Sequence, residues 1–101
     1  MDFEPFMATG WDEHATSPRA VADCLSAQGM GLAREPAHCL ALMRLMAHVW
    51  GEHLGDWDEG ARRLRAVTTL PAWDHSPALS TALARHLASL AWCAGRPAGD
   101  C

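Results

Sequence analysis

A chain of 101 residues, half of them apolar and a fifth charged, has the size of one domain and is too apolar to be a disordered tail. Its net charge of -4, with 12 acidic residues against eight basic ones that are all arginine, excludes broad phosphate-backbone binding, so no nucleic-acid partner is expected. No apolar run approaches the ~20 residues a membrane-spanning helix needs.

The N-terminal stretch MDFEPFMATGW carries acidic residues where a secretory signal carries basic ones, and it has no continuous apolar region. A cytoplasmic location is the expectation. We read the missing lysine as codon usage in a GC-rich, bacterial genome and attach no chemistry to it. Residues 1–16 are expected to be a partly ordered segment, 17–95 a single helical domain and 96–101 a tail.

Proline marks three helix starts, because Ser17-Pro18, Glu35-Pro36 and Ser76-Pro77 place it at the first helical position, where a missing N–H costs nothing. Asp56 with Glu59 three residues on gives a fourth start, a capping-box pair. Glycine and proline supply the stops: Gly29 and Gly31, Gly55, Pro71, and Gly95 with Pro97. Four helices are predicted, over 17–28, 36–54, 57–70 and 77–94. Strand alternation is lacking and β-branched residues are few, so the expected class is all-α, as two helix hairpins.

At ~100° per residue the first helix offers Val21, Cys24, Leu25 and Gln28 on one side. In the second, Cys39, Leu42, Met43, Met46, Val49, Trp50 and Leu54 fill more than half the circle, with Ala41, Arg44, His48 and Glu52 opposite; this is the expected central helix. The third turns Trp57, Gly60, Ala61, Leu64, Val67 and Thr68 inward. The fourth aligns Leu79, Leu83, His86, Leu87, Leu90 and Cys93 and leaves Trp92 and Arg85 outward.

From Leu54 to Pro71 the sequence LGDWDEGARRLRAVTTLP resembles the second half of a tetratricopeptide repeat (TPR). The resemblance rests on Gly55 in the bend, Trp57 two residues later, small Gly60, large Leu64, Val67 and the closing Pro71. Small residues at that spacing let paired helices approach, and proline turns the chain toward the next unit. Leu83, Ala84 and Leu87 resemble part of a following unit, whereas Arg44, Ala47, His48 and Gly51 depart from the preceding half. The resemblance implies TPR-like packing of about one and a half repeats in a non-enzymatic module that binds a protein partner or a second copy of itself.

Such a short array leaves an apolar end uncovered, which a partner or dimerisation would cover. Trp92 beside Arg85 has the residue types of a binding hot spot. A second candidate surface is Trp73, Asp74 and His75, in a WDHSP connector that echoes WDEHATSP from Trp11 to Pro18. The same echo also reads as a repeated device for starting a helix.

The stretch GEHLGDWDEG raises the question of metal chemistry. His48 and His53 are five residues apart, which on an α-helix puts them ~140° apart, so they are not expected to chelate one ion. His48 with Glu52 reads instead as an i,i+4 pair, and His53 as partly buried. A site from Cys39, His53, His86 and Cys93 would need several helices: on their own helices Cys39 and His53 lie ~21 Å apart, His86 and Cys93 ~10 Å. No metal, cofactor or small-molecule substrate is therefore expected, although a small metal-binding bundle built on those inward side chains, or an accessory subunit of a larger complex, are the alternatives to the interaction module.

Arg62, Arg63 and Arg65 follow Asp58 and Glu59 at helix ion-pair spacing and read as a self-neutralised face. Cys24, Cys39, Cys93 and Cys101 have no CxxC spacing and read as small apolar side chains plus a terminal thiol. Cys93 with His86 reads as core packing, and no catalytic residue is expected.

Overall fold

The computed structural model describes residues 2–95, and every element in it is helical. The expected tail, Cys101 and Pro97 lie outside those residues. Helix α1 spans Phe3–Glu13, and α2 begins at Pro18–Cys24, continues through a π turn at Leu25–Gly29 and ends at Met30–Leu32. Helix α3 is Pro36–His48 extended by a second π turn, Val49–His53; α4 is Trp57–Ala66 with a 3₁₀ turn at Val67–Thr69; α5 is Pro77–Ala94.

Helix α1 corrects the expectation that residues 1–16 stand outside the helical domain. Pro5 lies in its first turn, where the backbone N–H groups have no intrahelical acceptor, so the ring interrupts nothing. Phe3, Phe6 and Met7 form its buried stripe, and Gly10 continues it: a Cβ there would lie 3.1 Å from Leu45 Cδ2. Leu45, absent from the predicted apolar arc of α3, is fully buried because α1 covers that side.

The stop expected at Gly29 is also corrected. Its backbone is helical, with φ -58° and ψ -40°, and the helix runs on to Leu32. A Cβ on Gly29 would meet Leu42 Cδ2 at 2.9 Å and Phe6 Cε2 at 3.0 Å, so glycine here allows α1, α2 and α3 to close on one another. Gly55 is different: its φ of +63° takes the left-handed geometry that ends α3.

Helix α3 is central, with Cys39, Leu42, Met43, Leu45, Val49 and Trp50 all at 0 % exposure. The Trp50 ring is met by cations from two helices, Arg19 of α2 and Arg63 of α4, each with its guanidinium carbon 5.3 Å from the ring centroid. Asp56 Oδ1 accepts from the Glu59 N–H at 3.3 Å and starts α4. The reciprocal half of the capping box does not form, because the Glu59 carboxylate takes hydrogen bonds from Arg62 and Arg63, and those bonds hold its pKa below the ordinary carboxylate value.

Gly60 brings α4 onto α3 so closely that a Cβ would sit 2.7 Å from Trp50 Cβ. Gly60→Ala is therefore expected to destabilise the fold by about 1–3 kcal/mol through overpacking. A chemical-denaturation midpoint equal to that of the parent chain would contradict this contact.

Ser76 Oγ caps α5 by accepting from the Leu79 N–H at 3.3 Å. His86 on α5 is half-buried, and desolvation pushes its pKa below the ordinary 6.5. The unfolded chain thus takes up that proton more readily, so the stability from a neutral His86 is present above pH ~6.5 and is lost as pH falls through the depressed value. His86→Gln should flatten the fall of Tm with pH below ~6.5; an unaltered slope would show that His86 does not contribute to it.

Candidate metal centre

Three imidazoles converge where the C-terminal end of α1 meets the π turn of α3. His14 comes directly after the last residue of α1, whose Glu13 carbonyl accepts from the N–H groups of Thr16 at 3.2 Å and Ser17 at 2.8 Å, turning the chain into α2. His48 ends the α-helical part of α3 and His53 ends its π turn. In that turn the Leu54 N–H reaches back five residues to the Val49 carbonyl at 2.9 Å, and the Asp56 N–H reaches six to Trp50 at 3.0 Å.

A π turn closes i to i+5, so residues five apart stack on one face. This overturns the expectation that His48 and His53 diverge by ~140°, which holds only for an α-helix. The Nε2 atom of His48 lies 3.2 Å from that of His14 and 3.2 Å from that of His53. The three ring centroids form a triangle with every side 4.9 Å. One ligand atom from each residue lies within 4.8 Å of the others. Tetrahedral zinc with Zn–N bonds of 2.0–2.1 Å places neighbouring nitrogens about 3.3–3.4 Å apart, close to the spacing around His48.

The other ring nitrogens fix the tautomers. His14 Nδ1 is 2.5 Å from the Trp11 carbonyl, and His48 Nδ1 is 3.0 Å from Glu52 Oε2. Both acceptors require an N–H, so in the neutral rings each Nε2 presents a lone pair. Two lone pairs facing at 3.2 Å cannot share a hydrogen bond; a cation between them satisfies both. A ligand histidine held through its far nitrogen by a carboxylate or a carbonyl is the usual outer support of a metal site. At His53, desolvation first and then the neighbouring His48 and His14 rings push the pKa below the ordinary imidazole value, favouring the neutral ring.

The chain matches no family model, no curated protein and no solved structure in comparisons with each.

Trp11 walls one side, its ring 5.2 Å from His14 and 5.7 Å from His48 by centroid, with Arg44 stacked over it at 5.6 Å. His14 and His48 are half-buried and His53 is exposed, so a bound ion would keep a side open to water. The expected His48–Glu52 pair is present, and Glu52 orients the His48 ring. Glu52→Ala is expected to weaken zinc binding about 10–100-fold; calorimetry giving the parental affinity would remove that role.

The inward set expected from sequence does not assemble. Cys39 is fully buried within α3, its thiol pKa raised by burial first and Asp74 second. His86 and Cys93 line a groove of about 400 Å³ that also borders His48 and Glu52. His53 belongs instead with His14 and His48, the metal-capable group found among the described residues. Cys24, expected to pack inward, is exposed.

Trp92 is 60 % exposed and Arg85 is exposed on α5, as expected from their helix face. Trp73 is only 7 % exposed and joins the core, so it is not available to a contact surface with exposed Asp74 and His75. Asp74 Oδ1 accepts from the Ser76 N–H at 3.0 Å, which serves the start of α5. His14 is the member of the cluster that the sequence did not reveal. Its one sequence signal, the WDEH run before Ser17-Pro18, reads equally well as a helix start until α1 is known.

Proposed function

We propose that this protein is a helical metal-binding domain that holds one divalent transition-metal ion on His14, His48 and His53. The single observation that carries this reading is the convergence of the three Nε2 atoms, those of His14 and His53 each 3.2 Å from that of His48, with the Nδ1 atoms of His14 and His48 turned to acceptors of their own. Imidazole-only donors suit zinc, copper, nickel or iron rather than magnesium or calcium, and the two 3.2 Å spacings about His48 are close to those of tetrahedral zinc. Three protein ligands with a solvent-facing side leave a coordination position for an exchangeable ligand, the arrangement of catalytic and sensing sites rather than closed structural ones. Equilibrium dialysis against zinc with elemental analysis tests the reading. It predicts one ion per chain, lost in the His14→Ala, His48→Ala, His53→Ala triple variant; equal retention by both proteins would sink it.

A second reading keeps the TPR-like interaction module, with Trp92 and Arg85 contacting a protein partner or a second copy. It is favoured by the 60 % exposure of the Trp92 ring. Under it, Trp92→Ala abolishes co-purification of one stoichiometric partner, or the dimer seen by analytical ultracentrifugation. A monomer that captures nothing in either form would remove it.

A further inference from the structure

The His48–His53 pair exists only because α3 leaves the α-helical register at Val49–His53. π turns are rare in otherwise regular helices and concentrate at functional sites. In this one, few side-chain contacts hold the C-terminal end: His53 Nε2 lies 3.2 Å from His48 Nε2, and Glu52 reaches back to His48. The turn leads into a connector able to take up slack, Leu54–Asp56, with Gly55 in left-handed geometry at φ +63°. Returning Val49–His53 to α-helical register would move the Leu54 N–H from the Val49 carbonyl to that of Trp50. It would also release the Asp56 N–H and swing His53 ~140° away from His48.

We infer that metal binding at this site and the π register of α3 are two sides of one switch: the ion bridges His48 and His53 only across the π turn, so occupancy latches the turn and metal loss frees it. This rests on the metal-site reading above. Linkage makes the coupling reciprocal, since a ligand that binds one of two registers stabilises that register by its differential affinity. The output is local and directional. Asp56 both takes the Trp50 carbonyl and caps α4 through Glu59, so the switch acts on the junction where α4 leaves α3. The upstream half of the turn is anchored, because Val49 and Trp50 are fully buried and Gly51 lies against Leu90, where a Cβ would be 3.0 Å away.

Amide hydrogen exchange by NMR on the full chain, with and without zinc, tests the switch. Zinc at about ten times its Kd is expected to slow exchange of the Leu54 and Asp56 amides about tenfold. Amides in the middle of α3, such as those of Met43 and Leu45, should slow less. His53→Gln alters an exposed side chain, leaves the fold intact and should abolish the selective slowing. Deleting Gly51 brings His48 and His53 to the i,i+4 spacing that chelates from an α-helix, so this variant should bind zinc without the selective slowing. Zinc binding with unchanged Leu54 and Asp56 exchange overturns the switch and leaves the metal site standing. Absence of zinc binding in the parent chain overturns both.

Discussion

His48→Ala is expected to lower zinc affinity by about 100-fold or more, beyond the loss assigned to a supporting residue such as Glu52. His48 is the hinge of the cluster, the imidazole whose Nε2 is 3.2 Å from both partners, and it is the ring tied to Glu52. Its removal leaves His14 and His53 to bind the ion without the ligand between them. The side chain is half-buried at the surface of α3, so the metal-free protein should unfold at nearly the parental denaturant concentration. Isothermal titration of the variant and of His75→Ala, an exposed histidine outside the cluster, separates ligand loss from a general effect. Equal affinities in the two variants would contradict the assignment of His48.

Trp50→Ala is expected to cost about 3–5 kcal/mol of stability, more than any other single truncation proposed for this fold. The ring is fully buried where α3 packs against α4 and is contacted by Arg19 and Arg63, and Gly60 sits against the Trp50 Cβ. Removing it opens a cavity at the junction of α2, α3 and α4 and takes away two cation–π contacts. Its indole N–H is buried without an acceptor, so some desolvation cost is relieved and the loss should fall toward the lower end of that range. For a chain of this length, 3 kcal/mol corresponds to a Tm decrease of roughly 12 °C or more. A change below ~1 kcal/mol in denaturant unfolding would show that the core does not close around this ring.

The helices marked by proline were legible because one chemical fact decides each start: Pro18, Pro36 and Pro77 all occupy the first helical position in the fold. The central place of α3 was legible from the breadth of its apolar arc. Helix α1 was not, because MDFEPFMATGW has no continuous apolar region and its buried stripe is only Phe3, Phe6 and Met7, continued by Gly10 in its approach to Leu45. Missing α1 removed His14 from consideration and left Leu45 unexplained. The histidine cluster was hidden by the α-helical period. At 3.6 residues per turn His48 and His53 diverge, and nothing in a periodicity argument reports a change to i,i+5 closure. Gly51 between them was the available hint, since it offers no side chain to the α5 face and lets the widened turn lie against Leu90. Trp73 shows the opposite limit: its connector position suggested a surface, while packing placed it in the core.

The most direct test of the central claim is long-range ¹H–¹⁵N NMR of the histidine side chains during zinc titration. The geometry predicts that the Nε2 signals of His14, His48 and His53 shift together with one equivalent of zinc. Nδ1 of His14 and His48 should stay protonated on Trp11 and Glu52, and His38, His75 and His86 should remain unmoved. Zinc-induced shifts at those other histidines, or none at the three, would contradict a metal centre at this site.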